Sequence, residues 1–300
     1  MTSQPRVTDH RRVAVIIPAY QEERLLPVTL AGIPAWVDEI IVVDDASTDR
    51  TREVALEFAR SRATERAEAR EAADQRGATR YDTRVRVLTL DENQGVGRAI
   101  VVGYLEAWSA EMDVAIVMGA DAQMDPRELT SLVEGLEGVA YVKGNRMSHA
   151  EVKSRMPRAR YLGNLILSKM TGWLTQSPSL SDAQCGYTAL DLKWLPRLSI
   201  AHLYPRYGFP NDVLMRLHEA QASVRQVDVT PIYGDERSKL SIPKVIIPLL
   251  GVLLRGLGRR LLKLINTEID HVTEPHDVRG EKLSQPRQTP ESGEVTSERG

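Results

Sequence analysis

Apolar residues in this chain come in short solid blocks separated by helical-period stretches. The run Val13-Ala14-Val15-Ile16-Ile17, closed by Pro18, is the pattern of a strand buried on both faces. Ile40-Ile41-Val42-Val43 and the segment from Val114 to Met118 repeat it, and Val85 to Leu88 and Val139 to Val142 add shorter strands. Helical spacing runs from Glu22 to Ala31, ended by Pro34, and from Arg50 to Arg62 behind the cap cluster Ser47-Thr48-Asp49. It returns from Gly95 to Trp108, and Pro126 opens another helix at its first position. This β-α-β-α order predicts a mostly parallel, doubly wound α/β sheet with helices on both faces and right-handed crossovers.

Beyond residue 145 the pattern changes. Residues 146–160 carry Arg146, His149, Lys153, Arg155, Arg158 and Arg160 against the single acid Glu151. Leu162 to Leu174 reads as a helix and residues 224–229 as a late strand. From Arg237 to Lys263 there are seven Lys or Arg and no acid. Within residues 241–265, Arg255, Arg259 and Lys263 share one helix face, and Leu250, Leu253, Leu257, Leu261 and Leu264 line another. That is the layout of a cationic amphipathic helix at an anionic lipid interface. The competing reading is a helix packed on the protein itself or on a second subunit. Residues 60–80 are rich in Ala, Arg and Glu with no apolar stripe, as in a solvated helix extension. The expected layout is therefore a polar arm at 1–12, a body at 13–240, the amphipathic helix at 241–265 and a disordered polar tail at 266–300.

Composition narrows the functions. At 300 residues the chain has room for one large domain or two small ones. The net charge of −2, and basic segments without interleaved aromatics, argue against nucleic acid as a partner. A lone cysteine, Cys185, allows no intrachain disulfide and no Cys-based zinc site. The longest apolar run, Val245 to Leu254, is well short of the ~20 residues that span a bilayer, and Met1 to Arg12 has no apolar signal core. A cytoplasmic protein that is at most peripheral to a membrane is expected.

Chemistry-bearing residues cluster where the predicted strands end, and open α/β sheets bind ligands there. Strand one runs into Pro18-Ala19-Tyr20-Gln21-Glu22 and strand two into Asp44-Asp45-Ala46-Ser47-Thr48-Asp49. The third is followed by Asn93-Gln94-Gly95-Val96-Gly97-Arg98, and the fourth by Gly119-Ala120-Asp121-Ala122-Gln123-Met124-Asp125-Pro126. Because Ser47 to Asp49 already supply a helix cap, Asp44 and Asp45 suit hydrogen bonds from a nucleobase N–H or a ribose hydroxyl. Asp121 and Gln123, at alternate positions of a turn, suit a hard divalent ion carrying a diphosphate; the plainer reading is a turn before the Pro126 helix. Gly95-x-Gly97 is either a helix start or part of a phosphate cradle.

These stretches, in this order, resemble family 2 glycosyltransferases of the GT-A fold, and within them the polyprenyl-phosphate enzymes. The resemblance runs from about Val13 to about Leu240. It includes Gly144-Asn145-Arg146, Asp182-Ala183-Gln184-Cys185-Gly186-Tyr187, Pro210-Asn211-Asp212 and Arg237-Ser238-Lys239. It implies a Rossmann-like, mostly parallel sheet. Pro18, Tyr20, Glu22 and Asp45 would hold the nucleoside, and Asp121 and Gln123 would hold Mg²⁺ or Mn²⁺. Asp182 and Asp212 would lie near the sugar and the acceptor, with Arg146, Arg158, Arg237 and Lys239 facing phosphates. Two positions depart from the family: Gln21 stands where Asn is usual, and Gly119 where the first metal-site Asp is common.

Transfer from a nucleotide sugar such as GDP-mannose or UDP-glucose leaves a nucleoside diphosphate whose charge must be neutralised. A hydroxyl acceptor also needs a general base, for which Asp212 or Asp182 is the candidate. A polyprenyl phosphate, with a second pKa of roughly 6, is already a nucleophile and needs cationic clamps such as Arg146. The acid-poor stretch 146–160 favours the phosphate, and the resemblance implies inversion at the anomeric carbon. Transfer to a soluble or glycan hydroxyl, and a catalytically silent nucleotide-sugar binder suggested by Gly119, stay open as alternatives.

Overall fold

The computed structural model describes residues 11–74, 83–232 and 251–261. Seven strands form one sheet: β1 (Val13–Ala19), β2 (Glu39–Asp44), β3 (Arg84–Thr89), β4 (Val114–Val117), β5 (Tyr141–Asn145), β6 (Thr188–Asp191) and β7 (Val224–Asp228). The helices are α1 (Leu26–Gly32), α2 (Thr51–Asp74), α3 (Val96–Ser109), α4 (Leu129–Gly135), α5 (Ala150–Arg155), α6 (Arg158–Leu174) and α7 (Phe209–Glu219). Residues 251–261 are also helical. The strand order is β3-β2-β1-β4-β6-β5-β7. β6 runs antiparallel to both of its neighbours, and every other pairing is parallel.

The apolar blocks make this sheet because its inner strands are covered on both faces, while the edge strands β3 and β7 are only partly buried. Along β1, Val13, Val15 and Ile17 point into one core with Leu26, Leu30, Ala55 and Leu129 from α1, α2 and α4. Ala14 and Ile16 point into the other, with Ala99, Tyr104 and Val213 from α3 and α7. Burying one such aliphatic side chain contributes about 1.5–3 kcal/mol, so a fully buried strand fixes its register firmly.

Register is what builds the site. Ala19 pairs with Asp44 and Asp44 with Thr89, so β1, β2 and β3 end level. Val117 pairs with Ile16 and Thr188, and Thr188 with Lys143. The chain leaves β4 and β5 at the same rim where the antiparallel β6 enters. Residues 18–22, 44–49, 119–125, 145–149 and 182–187 therefore share one edge of the sheet.

The expected strands are present and a further one, β6, joins them, with instructive differences. β5 starts at Tyr141 because residues up to Val139 still turn, with Gly138 at φ 72° and Val139 N donating to Leu136 O. α1 starts at Leu26, after a turn in which Leu25 and Leu26 donate to Glu22 O. The Pro126 helix begins as a 3-10 turn, Pro126–Glu128, capped by Asp125 accepting from Arg127 N at 2.9 Å. α2 extends to Asp74, and residues 61–68 are mostly exposed.

Candidate active site

Three of the strand-end loops turn through left-handed, non-glycine residues: Gln21 (φ 55°) after β1, Ala46 (φ 58°) after β2 and Ala122 (φ 55°) after β4. Each such residue costs on the order of 1 kcal/mol. Hydrogen bonds hold the loops in place. Gln21 N donates to Ser47 Oγ at 3.0 Å, its amide Nε2 to Thr48 Oγ1 at 3.1 Å, and Glu22 N to Thr51 Oγ1 at 2.8 Å. The Ser47-Thr48-Asp49 cluster thus stitches the β1 loop to the β2 loop. Tyr20 stands exposed above this seam, and Pro18 and Glu22 are half-buried.

Asp44 and Asp45 are both buried. Asp44 Oδ1 accepts from Ser47 N at 3.2 Å, closing the β2 turn. The Asp45 carboxylate accepts from Gln94 N and Gly95 N, each at 2.8 Å, and so fastens the β2 end to the α3 N-terminus. Gly95 sits at φ 97°, and a Cβ there would lie 2.6 Å from Pro205 O. The 204–206 loop closes over this helix end, with Arg206 donating to Asn93 Oδ1 and O at 3.2 Å. The Gly95 amide is therefore engaged by Asp45.

Asp121 and Gln123 flank the left-handed Ala122 and are half-buried. Asp121 Oδ1 accepts from Gln123 N at 3.2 Å. A Cβ at Gly119 would come within 3.0 Å of the same oxygen, so Asp121 reaches back over the glycine. Among the described residues no three His, Cys, Asp or Glu side chains gather into a self-sufficient metal site. One carboxylate and one amide oxygen two residues apart still fit a hard cation that takes its remaining ligands from phosphate and water, as Mg²⁺ does.

On the far side of the rim the site is built from buried side chains. Asp182, fully buried, accepts from Arg146 Nε at 2.8 Å, Nη2 at 3.1 Å and N at 3.2 Å. It also accepts from Asn164 Nδ2 at 3.0 Å and Gln184 N at 3.2 Å. Burial pushes this carboxyl up, but the Arg146 charge and hydrogen bonds, with Asn164 and Lys143, outweigh it and bring it down to about 2. It is ionised throughout the physiological range and is a poor proton acceptor. Asp212, also buried, accepts from Tyr204 N at 2.9 Å and from Arg259 Nη2 at 3.1 Å. Arg158 is exposed at the start of α6. Arg237 and Lys239 lie outside the described residues.

The described part of the expected lipid helix packs one face on the protein and leaves Leu254, Arg255 and Leu261 exposed. Val252 and Leu253 are buried against Leu174 and Met215, and Arg259 pairs with Asp212 and Glu219. Of the expected cationic face, Arg255 is exposed and Arg259 half-buried, and Lys263 lies outside the described residues.

Around these groups lie residues to which no individual role was assigned from the sequence. Lys143 is completely buried and donates to Cys185 O at 2.6 Å. Burial, against the nearby charges of Cys185 and Asp182, brings its ammonium down to about 8. Asn211 Nδ2 donates to Thr171 Oγ1 at 2.6 Å, and Gln184 Nε2 donates to Asn211 Oδ1 at 2.7 Å. Ser181 N and Asp182 N both donate to Gln226 Oε1. A polar residue on the inward face of a predicted helix, such as Asn164 or Thr171, was the available clue.

The sequence model of glycosyl transferase family 2 matches residues 14–198. The chain belongs to this family. As a family 2 glycosyltransferase it carries the GT-A architecture, a mostly parallel seven-stranded sheet between helices. It is similar to the UDP-N-acetylglucosamine–dolichyl-phosphate N-acetylglucosaminyltransferase of Methanococcus voltae, 26% identical over 74% of this chain and 86% of that one. It is also similar to the undecaprenyl-phosphate mannosyltransferase of Micrococcus luteus, 28% identical over 73% of this chain and 83% of that one. Among solved structures it superposes on glucosyl-3-phosphoglycerate synthase from Mycobacterium tuberculosis with a TM-score of 0.61, at 19% identity over 84% of this chain and 80% of that one.

Proposed function

We propose that this glycosyltransferase moves a hexose from a nucleoside-diphosphate sugar to a polyprenyl phosphate, inverting the anomeric centre, at the cytoplasmic face of a membrane. The observation that carries the reading is the Arg146–Asp182 pair, a guanidinium held by a fully buried carboxylate at the rim that also bears Asp121 and Gln123. Both candidate bases are committed to cations, Asp182 to Arg146 and Asp212 to Arg259. A phosphate acceptor needs no base at neutral pH, whereas a hydroxyl does. The relatives named for dolichyl- and undecaprenyl-phosphate transfer support the same acceptor class.

In this reading the acceptor phosphate is oriented by Arg146 and attacks the anomeric carbon in line as the C–O bond to the diphosphate breaks. Asp182 acts by fixing the Arg146 fork. Asp121 and Gln123 would hold Mg²⁺ or Mn²⁺, which supplies neutralisation of the leaving diphosphate; solved structures of the neighbouring synthase contain Mn²⁺ and UDP. Tyr20 and the Asp45-anchored loop would bracket the nucleoside, with Asp44 and Gly95 shaping that pocket from beneath. Among the described residues no helix is long and apolar enough to cross a membrane, consistent with a peripheral protein that meets its lipid from outside.

A thermal-shift panel of GDP-, UDP- and dTDP-sugars, with and without Mn²⁺, tests the donor half. One nucleotide series raises the melting temperature in the presence of the ion, by the equivalent of about 2.7 kcal/mol at 100 times its Kd. A panel in which no nucleotide sugar shifts the transition overturns the proposal.

A further inference from the structure

Helix α6 is built inside out. Asn164, Ser168 and Thr171 face the protein, and all three are buried. Asn164 donates to Asp182 Oδ1 at 3.0 Å, Ser168 Oγ accepts from Ala183 N at 2.8 Å, and Thr171 Oγ1 accepts from Asn211 Nδ2 at 2.6 Å. Leu162, Ile166, Met170 and Trp173 face away from it and are 56%, 49%, 39% and 63% exposed. At about 100° per residue the two sets lie on opposite sides of the helix. A surface helix of a water-soluble domain does the reverse, with its apolar stripe turned to the core.

The surroundings of the stripe are cationic. Between Arg146 and Leu174 the chain has six Lys or Arg and one acid, Glu151, which pairs with Arg155 at 3.5 Å. Arg155, Arg158 and Lys169 are exposed. At the far end, Arg260 sits 5.0 Å from the Trp173 ring and donates to Trp173 O at 2.7 Å. The neighbouring helix adds exposed Leu254 and Arg255.

We propose that the outer face of α6 (Leu162, Ile166, Met170 and Trp173), with its flanking cations, is the surface by which the protein docks on an anionic lipid bilayer. Charge complementarity and the size of the patch both select this occupant. Four half-exposed side chains present on the order of 400 Å² of apolar surface, about half of what each partner contributes to a stable protein–protein interface. A helix lying in the headgroup region needs only a narrow apolar face, a Trp and flanking Lys or Arg. The inference rests on the lipid-acceptor reading for its meaning. The helix whose outer face meets the membrane is the one whose inner face holds Asp182, and through it Arg146, so docking presents the guanidinium to a phosphate at the lipid surface.

Vesicle flotation of the full chain, without donor or acceptor, tests the surface apart from the chemistry. Vesicles of phosphatidylcholine alone are compared with vesicles containing phosphatidylglycerol, using the wild type, Ile166→Gln/Trp173→Gln, and Val28→Gln as an exposed apolar control on α1. The wild type floats with the anionic vesicles and less with the neutral ones. The double variant loses about tenfold in vesicle partitioning, and Val28→Gln partitions like the wild type. Melting temperatures of all three agree, since the altered side chains are exposed. A wild type that stays with the soluble fraction, a double variant that floats like the wild type, or a wild-type dimer that the double variant dissolves would each overturn the docking surface. Flotation without any sugar transfer overturns the proposed reaction and leaves the surface standing; transfer without flotation does the opposite.

Discussion

The two sides of the rim solve the same problem, holding charge at a sheet edge, by different means. On the side of β1, β2 and β4 the candidate residues ride on short loops, and hydroxyls and carboxylates fasten those loops to nearby backbone amides: Ser47 to Gln21, Asp45 to Gly95, Asp121 to Gln123. On the side of β5, β6, α6 and α7, a network of groups drawn from distant segments holds one guanidinium, running from Asn164 to Asp182, to the Gln184 backbone amide, and through the Gln184 side chain to Asn211. The first side is cheap to alter and spends little folding energy on its candidate groups. The second couples the residues proposed to meet the acceptor to the stability of the fold.

That contrast fails or sharpens on four variants. Arg146→Met leaves Asp182 buried and uncompensated and lowers the unfolding free energy by about 3–5 kcal/mol. Urea titration reads it, and adding Asp182→Asn recovers part of the loss. Asp121→Ala reduces transfer by about 10²- to 10³-fold while its unfolding free energy stays within about 0.5 kcal/mol of wild type, because the side chain is half-exposed on a loop. If it destabilised the chain as much as Arg146→Met, the two sides would not differ.

The third test is acid. Asp182 is held near 2, below its ordinary 3.8, so its contribution is complete above about pH 4 and drains away as the pH falls through about 2. The stability difference between wild type and Asp182→Asn therefore shrinks by about 2 kcal/mol between pH 5 and pH 2 in chemical unfolding. The smallest effect belongs to Ser47→Ala. It removes one loop-to-loop acceptor and costs about 1 kcal/mol or less by the same measurement.

The same contrast explains what could be read from the sequence. The loop side is local: solid apolar blocks mark the strands, and the polar residues that follow them land at the rim as the strand ends dictate. Asp44, Asp45, Asp121 and Gln123 stood out for that reason. The network side depends on contacts between residues far apart in the chain. β6 is only four residues, Thr188–Asp191, and its antiparallel entry is what carries Asp182 to the rim. Neither that entry nor the burial of Lys143 leaves a periodic trace. Arg259 stood on the face expected to meet lipid, yet it pairs with Asp212, because pairing a half-buried guanidinium with two nearby carboxylates outweighs its hydration. In α6 the helix expected from Leu162 to Leu174 is present, but only the placement of Asn164, Ser168 and Thr171 tells which side faces inward.

The most direct measurement of the central claim follows labelled sugar. Protein, Mn²⁺, a labelled nucleotide sugar and a polyprenyl phosphate are incubated and extracted with organic solvent. The account predicts label in the organic phase for at least one donor, and its loss in Asp121→Ala. A folded wild-type protein that leaves the label in water for GDP-, UDP- and dTDP-sugars alike would contradict it.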